Sequence, residues 1–170
     1  MTDIRIRQLF ERAVEEYSDM VTGLCMLRLG NKHDAEDCYQ NVFLKLFKNT
    51  DLLEEGNPEH LKAWLITTAS NECKNRFRFL SRHKTECLDF VPLYYNDTSD
   101  KELIELVMSL PEKYREVIYL HYYVGYSVAE LAKILNTREG TIKTRLRRAR
   151  EALRIELTDE YQEDINYVKA

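Results

Sequence analysis

Residues 126–153, YSVAELAKILNTREGTIKTRLRRAREAL, constrain the fold of this chain more tightly than any other stretch. Ser127 and Glu130 stand at capping-box spacing, which predicts a helix from Val128. Leu131, Ala132 and Leu135 give that helix an apolar stripe. Asn136 falls where the chain must turn, and Asn is among the few residues that tolerate the left-handed conformation a tight turn needs. Thr137 is expected to cap a second helix. In that helix Ile142, Leu146, Ala149 and Leu153 recur at helical spacing and face inward. Arg138, Lys143, Arg145, Arg147, Arg148 and Arg150 crowd the other positions. A capped short helix, a tight turn and a basic helix together describe a helix-turn-helix, with the second helix offered to a DNA major groove. A basic amphipathic helix alone also suits a solvated face, a membrane surface or a calmodulin-like partner. The turn argues against all three.

Bulk charge does not carry a nucleic-acid role here, because the formal net charge is −4. The role must rest on local basic patches. With 170 residues, 44% of them hydrophobic, the chain has enough apolar material for one domain or two small ones. Gly and Pro are scarce, and most segments carry a helical period. The N-terminal stretch is charged throughout, without a signal peptide or membrane-spanning run, so a cytoplasmic setting is expected. Cys25, Cys38, Cys73 and Cys87 lack CxxC spacing and read as free thiols in a reducing compartment. A zinc site is the sharper alternative, but such sites favour paired ligands. No metal and no cofactor is expected.

Taken in order, the first helix runs from about Ile4 to Leu29, with Phe10, Ala13, Val14, Tyr17, Met20, Val21, Leu24 and Leu27 inward. Gly30-Asn31 ends it. Asp34 is expected to cap the second helix, with Asp37 in its first turn. Val42, Phe43, Leu46 and Phe47 are its expected buried face, and Asp37, Gln40 and Asn41 its exposed one. Asp51 to Gly56 reads as an acidic turn. Asn57-Pro58 opens a third helix with proline at its first position, and Leu61, Trp64, Leu65, Thr68 and Ala69 face the core. Beyond Ser70 that helix changes character. Lys74, Arg76, Arg78, Arg82 and Lys84 interleave with Phe77 and Phe79, and Asn71 and Asn75 share a face. Basic, aromatic and amide side chains in this mixture suit single-stranded nucleic acid, although Phe77 is expected in the core.

Periodicity fails from Thr85 to about Ser99, around Pro92, which marks a linker. Leu103, Leu106, Val107 and Leu110 then form a short helix. Pro111 separates it from the next, which runs through Tyr122 with Val117, Ile118 and His121 inward and ends at Gly125. Walker, GxSxG and HExxH signatures are absent, so no enzyme chemistry is expected.

Two basic regions in two helical modules resemble a bacterial sigma factor of the extracytoplasmic-function (ECF) group of the sigma-70 family. DAEDCYQNVFLKLF resembles the part of sigma region 2 that docks on the β′ coiled coil of RNA polymerase. The resemblance places Asp34, Asp37, Gln40, Asn41 and Phe43 at that contact. HLKAWLITTASNECKNRFRFLSRHK resembles the part that melts and reads the promoter minus-10 element, with Asn71, Asn75, Arg76 and Arg78 at the matching places. The family more often carries an acidic residue where this chain has Asn41 and Asn75. LPEKYREV, YSVAELA and GTIKTRLRRAR resemble region 4, which reads the minus-35 element, and imply Arg138, Thr141, Lys143, Thr144, Arg147 and Arg148 as contacts.

The implied fold is all-α. It comprises a region 2 domain over residues 1–84, a linker over 85–99, a region 4 domain over 100–158 and an acidic tail over 159–170. The implied partners are core RNA polymerase through its β′ coiled coil and β flap, promoter DNA, and an anti-sigma factor. No small-molecule substrate is implied. A stand-alone helix-turn-helix regulator is the other reading. Such proteins usually dimerise on a palindrome, and this sequence offers no heptad zipper.

Overall fold

The computed structural model describes residues 3–83 and 105–156, with side chains as far as residues 82 and 153. The expected linker, Leu103, Cys87 and the acidic tail lie outside the described residues. Every regular element among those described is helical, and the helices fall into two compact units.

The first unit holds α1 (Asp3–Leu29), α2 (Lys32–Lys48), α3 (Thr50–Glu55) and α4 (Pro58–His83). The long helices α1, α2 and α4 pack pairwise around one another. Val21, Leu24, Cys25, Val42, Leu46, Leu65, Ile66, Ala69 and Cys73 fill the space between them, all fully buried. Full burial of each large aliphatic side chain contributes about 1.5–3 kcal/mol, so the apolar stripes suffice to hold three helices together.

The boundaries follow from backbone chemistry. Gly30 adopts a left-handed φ of 66° and donates its N–H to the Met26 carbonyl at 2.8 Å, ending α1 as expected. Asn31, in extended conformation, then caps α2 by accepting the Asp34 N–H at 3.2 Å. This corrects the reading of Asp34 as the cap. Asp34 lies one turn inside α2 and is buried, and Asp37 lies a turn further on.

The acidic stretch after Asn49 is a helix, not a turn. Leu52 and Leu53 are buried by α1 and α2, and this packing outweighs the turn-like look of the flanking acids. Gly56, at φ 66°, closes α3. Asn57 Oδ1 accepts the His60 N–H at 3.2 Å, so α4 starts with Pro58 at its first position, as predicted. Trp64 is only partly buried.

The second unit holds α5 (residues 105–109), α6 (Glu112–Ile118), α7 (Val128–Ile134) and α8 (Glu139–Glu156). Leu110, Ala149 and Leu153 pack together with Leu106, Val107, Tyr114, Ile118 and Ala152. Val117, Leu120, Leu131, Ile142 and Leu146 are also buried.

The helix expected to continue through Tyr122 instead widens into a π turn over Tyr119–Tyr123. Val124 and Gly125 donate to the carbonyls of Tyr119 and Leu120, five residues back, each at 3.1 Å. Tyr119 and Tyr123 stack with centroids 5.0 Å apart. His121 Nδ1 donates to the Tyr126 carbonyl at 2.6 Å, so this histidine fixes the entry to α7.

Candidate nucleic-acid and partner-binding faces

In the second unit the capping box of α7 is complete. Glu130 N–H donates to Ser127 Oγ at 3.2 Å, and Ser127 N–H donates to Glu130 Oε2 at 2.8 Å. Asn136 turns the chain at φ 48°, the one positive φ outside glycine among the described residues. Thr137 does not cap α8. Its hydroxyl donates to the Leu135 carbonyl at 3.1 Å, which ties down the turn instead.

Ile142, Leu146, Ala149 and Leu153 are buried as their spacing predicts, and this fixes the rotation of α8. Arg138, Lys143, Arg147 and Arg148 are exposed, with Thr141, Thr144 and Arg145 half-buried beside them. Thr144 Oγ1 donates to the Gly140 carbonyl at 2.9 Å, which leaves its lone pairs available as acceptors. Arg147 pairs with Glu151 at 3.2 Å. Both side chains are well exposed, so the pair is a weak, salt-screened one that a phosphate can displace. Arg150 turns away from this face and donates to the Tyr122 hydroxyl at 2.9 Å.

A cleft of about 360 Å³ lies against the start of α8, lined by Lys113, Tyr114, Gly140, Thr141, Thr144, Arg145 and Arg148. Lys113 and Tyr114 come from α6. That the start of α6 lies beside α8 is not legible from spacing, since periodicity within one helix says nothing about its neighbour.

In the first unit, Asn71, Asn75 and Arg78 are exposed on α4, as are Phe79 and, against expectation, Phe77. Arg76 is turned towards α2. Its Nε lies 2.8 Å from Asp34 Oδ1, and its terminal nitrogen lies 3.6 Å from Asp37 Oδ2. The hydrogen bond to Asp34 raises the pKa of the guanidinium further. One turn back, Glu72 accepts from Asn41 Nδ2 at 3.4 Å and pairs with Lys45.

On α2, Gln40 and Asn41 are exposed and Asp37 half-exposed. Two expected members of this face are not on it. Asp34 is drawn inward by Arg76, and Phe43 is buried edge-to-face against Phe10, with Tyr39 packed on its other side. Phe47 shows the reverse error. Expected in the core, it is 52% exposed and rests edge-on against Phe10, beside an apolar groove of about 650 Å³ that Ile6 also lines.

Cys25, Cys38 and Cys73 are buried free thiols on three different helices. Hydrogen bonding to Cys73 and then burial push Cys38 far above the usual thiol range. Hydrogen bonding to Cys25 does the same for Cys73. Among the described residues no group of His, Cys, Asp or Glu is arranged to hold a metal ion, and no helix is long and apolar enough to cross a membrane.

Comparison with known proteins agrees with this geometry. The Sigma-70 region 2 profile matches residues 13–83, and the Sigma-70, region 4 profile matches residues 100–153. The ECF RNA polymerase sigma factor SigW of Bacillus subtilis is 32% identical over 169 residues, covering 88% of this chain and 89% of SigW. The ECF sigma factor SigE of Mycolicibacterium smegmatis is 28% identical, and the match spans 60% of its length. Among solved structures, the sigma factor RpoE of Bartonella quintana, crystallised with the anti-sigma factor NepR, superposes with a TM-score of 0.71 at 26% identity. That match covers 85% of this chain and 93% of RpoE.

Proposed function

The chain belongs to the ECF group of the sigma-70 family of RNA polymerase sigma factors, and from that premise we propose how its residues divide the work of promoter recognition. Residues 1–84 act as the region 2 domain and 100–158 as the region 4 domain, with 85–99 linking them and 159–170 as a tail. On α2, Asp37, Gln40 and Asn41 face the β′ coiled coil of core polymerase. On α4, the exposed Asn71 and Asn75 offer amide donors and acceptors to a base extruded from the melted minus-10 element, and Arg78 holds the strand.

On α8, Arg138, Thr141, Lys143, Thr144, Arg147 and Arg148 meet the minus-35 major groove, with Lys113 adding charge from α6. The β flap of the polymerase holds the region 4 domain. The chain works in the cytoplasm, performs no chemistry itself and needs no cofactor, metal or small-molecule substrate. Catalysis stays with core polymerase. The Bartonella quintana relative carries an anti-sigma factor, and by analogy we assign this chain one of its own.

The observation that carries this reading is the order of the two family matches, one on each helical unit, with the basic face of α8 exposed in the second. A stand-alone helix-turn-helix regulator would use the second unit but has no need of the first. The test mixes purified chain with core polymerase and asks for co-elution, then for run-off transcripts from a promoter library. Co-elution with promoter-dependent transcripts is the expected result. Tight, sequence-specific DNA binding by the free chain, with no effect on the polymerase, would return the regulator reading.

Within α8, Arg148→Ala separates two kinds of contact. Arg148 is exposed and makes no ion pair among the described residues. If it reads a guanine edge, minus-35 affinity falls by about 1–3 kcal/mol and specificity relaxes at one position. If it touches phosphate alone, the loss is uniform across sequences and the salt slope shrinks by about one. Holoenzyme titrations at several salt concentrations distinguish these, and an unchanged variant removes Arg148 from the interface.

A further inference from the structure

We infer that Glu72 and Arg76 of α4 are positioning residues for the polymerase-docking face of α2, an inference that rests on the assignment of that face to core polymerase. The two lie one helical turn apart with opposite charge, and both turn to α2. Arg76 spans two carboxylates, Asp34 at 2.8 Å and Asp37 at 3.6 Å. Glu72 holds Asn41 at 3.4 Å and pairs with Lys45. Two residues proposed to meet polymerase are therefore each gripped from behind, Asp37 by Arg76 and Asn41 by Glu72.

Burial decides what the grip is for. The side chain of Asp34 is 9% exposed, and that of Glu72 is 14% exposed. Charges so shielded from water interact more strongly than surface pairs. A carboxylate as buried as Asp34 needs its cation, and withdrawing Arg76 towards a DNA strand would strand that carboxylate without a partner. Arg76 is thus committed to the protein, although its place in the sequence had put it among the minus-10 contacts. Asn71, Asn75 and Arg78 remain outward on α4 and free to take that part.

A docking face fixed in advance loses less side-chain freedom on binding, which is the usual source of affinity from preorganisation. Without Arg76, Asp37 keeps its charge but samples several rotamers. Without Glu72, Asn41 and Lys45 likewise sample several rotamers.

The test compares Glu72→Ala, Arg76→Ala and Arg76→Lys in the full-length chain with three measurements. These are the melting temperature, the Kd for core polymerase, and the affinity of holoenzyme assembled at saturating core for a single-stranded minus-10 oligonucleotide. Glu72→Ala and Arg76→Ala are expected to weaken core binding by about two- to tenfold each, the cost of reordering one or two side chains. Arg76→Lys is expected to recover most of the loss, because a cation returns to Asp34. Strand affinity of the assembled holoenzyme stays within about twofold, since the altered side chains do not face the strand.

Should Arg76→Ala fail to fold, Glu72→Ala still decides the matter, as it leaves no buried charge unpaired. Core affinity unchanged in the folded variants would overturn the inference. So would a loss confined to the strand, or parallel losses in core and strand binding that follow the melting temperature. Failure of the unsubstituted chain to bind core would instead remove the sigma-factor premise itself.

Discussion

Asp37→Arg is expected to lower affinity for core polymerase by about a hundredfold or more while leaving the chain folded. Like charges brought together at an interface cost several kcal/mol, and each 1.4 kcal/mol is a factor of about ten. The fold should survive because of where Asp37 sits. Its side chain is 43% exposed, and its two ionic neighbours are distant, His33 at 3.9 Å and Arg76 at 3.6 Å. Partly exposed pairs at such separations contribute about 0–1 kcal/mol each. The closer contact of Arg76 is to Asp34, and the substitution leaves that contact in place. An arginine at position 37 can also swing into solvent, away from Arg76. The measurement is a titration of labelled core polymerase, with the melting temperature as control. A folded variant with unchanged affinity would show that α2 does not face the polymerase.

The helix-turn-helix was legible from sequence because its signals are local. A capping box spans four residues, an αL turn one, and an inward stripe repeats every three or four. Each can be read without knowing what lies across the core. Leu131, Ile142, Leu146, Ala149 and Leu153 are buried as read, and Arg138, Arg147 and Arg148 are outward, whereas Arg145 is half-buried and Arg150 turns to Tyr122. Thr137 is the local exception, its hydroxyl donating to the Leu135 carbonyl rather than capping α8; the other differences arise mostly where a residue's surroundings come from a distant part of the chain.

Asp34 looked like a surface acid because a buried carboxylate is unexpected until its cation is known, and Arg76 lies forty-two residues away. Arg76 looked like a DNA contact for the same reason. Phe43 and Phe47 sit on one helix, four apart, and both contact Phe10, yet one is buried and the other is not. The apolar stripe of α2 predicts its direction but not where the covering helix α1 ends. Helix α3 is not legible in the sequence because acidic residues next to Gly and Pro resemble a turn, and only the packing of α1 and α2 on Leu52 and Leu53 decides otherwise. The π turn has no sequence signature of its own, and its extra residue is legible only from the carbonyls that accept five residues back.

Leu146→Ala is expected to unfold the second unit and spare the first. Leu146 is 2% exposed, and a buried Leu→Ala change costs about 2–5 kcal/mol through lost transfer energy and the cavity left behind. A helical unit of this size rarely holds more than about 3–5 kcal/mol in a single core, so the substitution removes most or all of its stability. The helices α1, α2 and α4 bury their own set of side chains. Thermal unfolding followed by circular dichroism should therefore show helix lost at low temperature, with the transition of the first unit in place. Polymerase should still dock on α2, while transcription that depends on the minus-35 element should fail. Leu146→Met keeps the volume and should cost less than about 1.5 kcal/mol, so it ought to transcribe nearly as the unsubstituted chain does. If Leu146→Ala instead shifts one cooperative transition for the whole chain, the two units share their stability. Recognition of the two promoter elements would then be lost together, and a single substitution in α8 would silence the α2 face as well.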